Sequence, residues 1–108
     1  MSKQIVYERE LAKLTEIFKD VEPTKVQLVQ GLIQDAAFLF AENYILKESL
    51  NKTGMIKFHP SNPSMQKPLP AAKEYRQNLN SYAVIIKTLN GVLQKGIIEE
   101  EDDMDEYE

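Results

Sequence analysis

The chain has 108 residues, a length that fits one domain. It has no cysteine and a single histidine, His59, which excludes a disulfide scaffold and leaves no ligand set at a usual zinc spacing. The net charge of −4 hides a segregation: residues 99–108 hold eight of the seventeen acids and no base, so residues 1–98 carry nine acids against thirteen bases.

In chain order, the first predicted element is a helix over about 3–19, where Tyr7, Leu11, Leu14 and Phe18 recur on one helical face and charges fill the other. The run from Asp20 to Pro23 interrupts it, and Pro23 suits the first turn of a second helix because its missing N–H is not needed there. That second helix is predicted over about 24–51. Val26, Val29, Ile33, Ala36 and Phe40 form one apolar row, and Leu28, Leu32, Leu39, Leu46 and Leu50 form another turned away from it. Gly31 lies inside this helix and suits either a close helix crossing or simple tolerance. Gly54 supplies a helix stop.

Residues 55–60, MIKFHP, are too short for a helix and read as an extended segment, expected to pack on the helices because one strand makes no sheet alone. Four prolines follow within HPSNPSMQKPLP (59–70). Asn62 can cap and Pro63 can open a short turn over 63–66, whereas Pro68 breaks any helix begun there and Pro70 opens the next one. The third helix is predicted over about 70–93. Ala72, Tyr75, Leu79, Tyr82, Ile86, Leu89 and Leu93 step by three and four, a heptad pattern that calls for antiparallel packing on the second helix. Gly91 and Gly96 are expected to loosen its end. The acidic run 99–108 is expected to be a solvated tail.

The predicted fold is therefore all-α: residues 1–98 form a short helix followed by a long antiparallel helical hairpin, and residues 99–108 form an acidic tail. The second helix is apolar over more than the third can cover, which points to homo-oligomerisation through the hairpin. The candidate contacts are Leu28, Leu32, Leu39, Leu46, Tyr75, Leu79, Tyr82 and Ile86. No uninterrupted apolar run is long enough to span a membrane and no leader pattern opens the chain, so an intracellular, non-membrane protein is expected.

Catalytic signatures are absent from the sequence. There is no phosphate-binding glycine loop, no HExxH and no Ser/His/Asp set, and Glu42 and Glu48 are six residues apart and fall on different sides of their helix. No enzyme activity, metal or cofactor is expected. Nucleic acid is a better fit to the body. Lys47, Lys52, Lys57, Lys67, Lys73 and Arg76 surround the predicted hairpin tip with only Glu48 and Glu74 among them, and phosphate contacts need such bases without a particular sequence code. Lys3, Arg9 and Lys13 on the first helix make a second basic patch. In the tail, Glu99, Glu100, Glu101, Asp102, Asp103, Met104 and Tyr107 combine charge with two apolar anchors, a pattern suited to docking on a basic partner.

The stretches LTEIFKDVEPTKVQLVQGLIQDAAFLFAENYILKESLNKTG and NPSMQKPLPAAKEYRQNLNSYAVIIKTLNGVL resemble the small subunit of tailed-bacteriophage terminases over about Arg9 to Leu93, with Gly54, Asn62, Pro63, Ala72, Tyr75, Leu79 and Leu89 at matching positions. The resemblance implies a non-catalytic DNA-packaging component in the host cell cytoplasm. Such a component binds double-stranded viral DNA, assembles into a ring and recruits the large terminase subunit, which has the ATPase and nuclease activities. Three features depart from the family: the span before the second helix is too short for a helix-turn-helix domain, Pro68 and Pro70 lie where the family continues its helix, and the end of the chain is unusually acidic. The rival reading is a helical oligomeric adaptor or regulator that binds a protein partner without DNA.

Overall fold

The computed structural model describes the backbone of residues 1–53, 56–57 and 67–105, and side chains over 1–52 and 69–95. Among these residues the chain is all-helical but for one two-residue strand pair. Helix α1 spans Lys3–Ile17, α2 spans Pro23–Thr53, β1 is Ile56–Lys57, β2 is Lys67–Pro68 and α3 spans Pro70–Asp105. The expected turn at 63–66, together with Gly54, Met55, Phe58, His59, Asn62 and Pro63, lies outside the described residues.

Each helix begins where its chemistry permits. Ser2 caps α1, its hydroxyl oxygen accepting the Ile5 N–H at 3.2 Å. The helix ends at Ile17, two residues earlier than its charge pattern suggests. Phe18 leaves helical geometry there, its N–H shared between the carbonyls of Leu14 and Thr15, and its buried ring becomes part of the core. Pro23 opens α2, and the Glu22 carbonyl takes the N–H groups of Lys25 and Val26. Pro70 opens α3 in the same way, with the Leu69 carbonyl receiving Ala72 and Lys73.

Three expectations are corrected. The extended segment after α2 does not pack alone on the helices: β1 pairs antiparallel with β2, placing Ile56 opposite Pro68 and Lys57 opposite Lys67. Residues on both sides of the proline-rich stretch thus supply the two strands. The third helix does not end at Leu93 but continues through Gly91 and Gly96 to Asp105, because no proline follows Pro70 and an interior glycine weakens a helix by only about 1 kcal/mol. Residues 99–105, expected as part of a separate solvated tail, are consequently helical in backbone and continuous with α3.

Helix α2 is the central element and packs against both α1 and α3. Lys3 meets Glu42 while Phe18 shares a cluster with Val29, so α1 runs opposite to α2. Asn43 meets Tyr75 and Phe40 meets Tyr82, while Leu89 lies in the cluster with Val29 and Ile33, so α3 also runs opposite to α2. The core therefore sits around the first half of α2, where all three helices meet: Leu14, Phe18, Val29, Ile33, Ala36, Ala37 and Leu89, flanked by Tyr7, Leu11, Val26, Leu32, Tyr82, Ile86 and Leu93. Ala36 and Ala37 are fully buried, and their small side chains let α1 and α3 approach the same stretch of α2. Gly31 makes no close crossing within the chain, since a methyl group there would meet nothing within 4 Å.

Candidate nucleic-acid interface

The end of the molecule formed by the last turns of α2, the β1–β2 pair and the first turns of α3 collects the basic residues. Lys47, Lys52, Lys73 and Arg76 are all exposed. Lys57 and Lys67, one on each strand, are register partners. The register thus brings two of the bases to paired backbone positions at this end. Glu48 and Glu74 are the acids in this part of the sequence. The Tyr44 hydroxyl is hydrogen-bonded to the Glu48 carboxylate, and that bond, the carboxylate's charge and slight burial push the phenol above its ordinary 10.0.

The second patch read from the sequence is largely spoken for within the chain. Lys3 donates to Glu42 at 2.7 Å, bridging α1 to α2. Lys13 lies 3.4 Å from Glu10 Oε1. Arg9 is exposed, with one guanidinium nitrogen 3.5 Å from the Met1 sulfur. The basic surface of α1 is thus weaker than its composition suggests.

Of the candidate association residues, Leu28 and Leu79 are exposed, while Leu32, Leu39, Leu46, Tyr75, Tyr82 and Ile86 are partly buried. Leu32, Tyr82 and Ile86 pack against the core cluster of the chain itself. A different stripe on α2 is uncovered. Leu28, Phe38 and Ile45 are 85, 54 and 37 % exposed, and at 3.6 residues per turn they fall within an arc of about 100° that faces away from the core and also contains Gly31, Asp35 and Glu42. Sequence reasoning missed Phe38 and Ile45 because neither belongs to the leucine row it followed.

Two further features were not anticipated. Between α2 and α3 lies an open groove of about 240 Å³ lined by Phe40, Asn43, Tyr44, Lys47, Tyr75, Leu79 and Tyr82. The Phe40 and Tyr82 rings are 6.3 Å apart and tilted by 46°, within the range of favourable aromatic pairs. Asn43 is 8 % exposed; its Nδ2 donates to the Tyr75 carbonyl at 3.4 Å, and its Oδ1 has no donor. Nearer the core, Glu10 is 5 % exposed and its Oε1 accepts no hydrogen bond, the 3.4 Å ammonium of Lys13 being poorly angled for one. Glu10 lines a second groove, between α1 and α3, with Lys13, Tyr82 and Ile86. Burial first, and then the Glu10 charge, push the Tyr82 phenol above 10.0, with Lys13 opposing.

Among the described residues no group of three His, Asp or Glu side chains is arranged to hold a metal ion, and no helix is long and apolar enough to cross a membrane. The backbone of Glu99, Glu100, Glu101, Asp102, Asp103 and Met104 lies in α3, and Tyr107 lies outside the described residues. No family model, curated protein or solved structure matches this chain.

Proposed function

We propose that the chain is a non-catalytic small terminase subunit that assembles with copies of itself, binds double-stranded viral DNA through its basic end and recruits the large terminase subunit. The observation that carries the nucleic-acid part is the strand register: it sets Lys57 opposite Lys67 at the tip between exposed Lys52 and exposed Lys73. Phosphates are the natural partners of such an array, and no catalytic group is needed for it to act. The α2–α3 pair is the helical hairpin of this reading. Leu28, Gly31, Phe38 and Ile45 on the outer face of α2, with Asp35 and Glu42 among them, are its surface for contact with other copies, because large apolar side chains left this exposed on one face mark an association site. A closed ring brings several basic tips onto one DNA, and weak contacts then add through avidity.

Duplex DNA titrated at increasing salt tests the reading. Affinity falls steeply as salt rises, and Lys57→Glu with Lys67→Glu lowers both the affinity and the salt slope. Binding that is independent of salt, or indifferent to these substitutions and to charge reversal at Lys47, Lys73 and Arg76, overturns the DNA assignment. Native mass spectrometry tests the assembly: a single discrete oligomer is expected, and a monomer at all concentrations refutes it. Deleting residues 99–108 is expected to abolish binding of the large subunit. The exposed Leu28, Phe38 and Ile45 on α2 equally suit a helical adaptor for a protein partner, and the absence of DNA binding with intact assembly would select that reading.

A further inference from the structure

The two ends of α3 carry opposite charge, and each lacks what the other has. At its start lies the basic tip. Lys47, Lys52, Lys73 and Arg76 are exposed, and none of them belongs to an ion pair among the described residues. Lys57 and Lys67 occupy paired backbone positions at the same end. At the far end, Glu99, Glu100, Glu101, Asp102, Asp103 and Asp105 lie in the last turns of α3, and Lys95, the last base of the chain, precedes them all. Helical backbone sets Glu99 against Asp102 and Asp103, and Glu101 against Asp105, at the spacings of three and four where like charges repel. The negative pole of the helix dipole lies at this end and opposes the same charges, with no base in the last turn to relieve it. The helix nonetheless runs to Asp105. Nearby cations would relieve both strains.

One copy cannot satisfy itself. At 1.5 Å per residue the unbroken helix holds Glu99 about 35 Å and Asp105 about 44 Å from Arg76. Those distances exceed the screening length of about 10 Å at moderate salt, so the two ends of one chain barely interact. We propose that the basic tip of one copy binds the acidic end of α3, residues 99–105, of a second copy, and that duplex DNA competes for the same bases. The proposal rests on the reading of the tip as a polyanion site and adds a regulator to it. The acidic helix end is a protein polyanion that occupies the tip until DNA displaces it. Several bases meet several acids, so the contact does not depend on any one lysine, and assembly through α2 would raise the local concentration of each end around the other. The contact joins different surfaces of successive copies, head to tail.

The test mixes equal amounts of heavy-isotope-labelled and unlabelled full-length chain. A water-soluble carbodiimide joins lysines to carboxylates in contact, and mass spectrometry maps the links. Links between Lys95 and Glu99 of the same chain, four residues apart on α3, serve as the control that the carboxylates react. Mixed-isotope links are expected between residues 99–105 and Lys47, Lys52, Lys57, Lys67 or Lys73. They should disappear at about 1 M salt, where the screening length is about 3 Å, and on addition of excess duplex DNA. Control links without mixed-isotope links to the tip overturn the proposal. So do tip links within one isotope alone, which would mean that α3 folds back, and mixed links spread equally over Lys3, Lys13 and Lys19 of α1, which would mean attraction without a site. Tip links that persist while DNA is bound refute the competition. DNA affinity measured on the same samples keeps the two ideas apart. DNA binding without tip links refutes this inference and leaves the nucleic-acid reading intact, whereas tip links without DNA binding refute that reading and leave the contact between copies standing.

Discussion

Two aliphatic residues on α2 separate folding from the proposed association. Ile33 has no exposed surface and lies in the cluster where all three helices meet. Ile33→Ala removes a fully buried side chain and leaves a space that Ala36 and Ala37 are too small to fill, so a loss of about 3–4 kcal/mol is expected, within the range for such truncations. Leu28 lies five residues earlier and keeps 85 % of its surface exposed. With about 2.5 kcal/mol for burying a whole leucine side chain, the 15 % covered within the chain contributes only about 0.4 kcal/mol to folding. Urea unfolding of both variants at low and high protein concentration is the assay, with the midpoint read at constant slope. Ile33→Ala lowers the midpoint at every concentration. Leu28→Ala leaves it almost unchanged in dilute solution but lowers it at concentrations where the parent chain is assembled, since binding between copies adds to apparent stability. A Leu28→Ala cost as large as that of Ile33→Ala in dilute solution would refute the placement of Leu28, and an Ile33→Ala cost below about 1 kcal/mol would refute the packing of the core.

Other outcomes follow from Glu10 and its neighbours. Glu10→Leu is expected to raise stability by about 1–3 kcal/mol in urea, because a buried carboxylate without a hydrogen bond on one oxygen is exchanged for apolar packing, and its salt bridge to the mostly exposed Lys13 is weak; a clear loss would contradict this account of its surroundings. The Tyr82 phenol, held above 10.0 in the folded chain, contributes stability that is complete below pH 10 and is lost as pH rises through the folded value. Phenolate absorbance, taken as a difference against Tyr82→Phe, should show its titration moving down in Glu10→Gln and up in Lys13→Met, and shifts of the opposite sign would contradict the geometry. Ala37→Leu, at a fully buried position, should cost about 1–3 kcal/mol by overpacking, measured by thermal unfolding.

The helices were legible because their apolar residues recur at three and four over long stretches, and because Pro23 and Pro70 mark their starts. The strand pair was not: two residues have no periodicity, and the partners are separated by the proline-rich stretch. Helix α3 was cut short because a run of acids reads as a solvated tail, although nothing in it forbids helix. Glu10 escaped notice because a charge in a helix reads as surface, yet it falls four residues from both Val6 and Leu14, which are buried. The excess of bases near the predicted hairpin tip was visible without coordinates, since it is a property of composition along the chain. The groove was missed with Asn43, although its position three residues after Phe40 and seven after Ala36 places it on the α3-facing side of α2. That spacing was the available signal, and a polar residue on an otherwise apolar row was what made it informative.

The continuity of α3 turns the distance between core and acids into a matter of rotational phase. Residues 94–98 join Leu93, which packs on the core, to Glu99 without leaving the helix. One residue inserted there would swing the acids about 100° around the axis and advance them 1.5 Å, whereas seven would return them within about 20° of their original bearing and carry them about 10 Å further out. The join therefore behaves as a keyed shaft, in which length and direction change together, and only insertions near a multiple of the helical repeat leave the acids facing the way they do now.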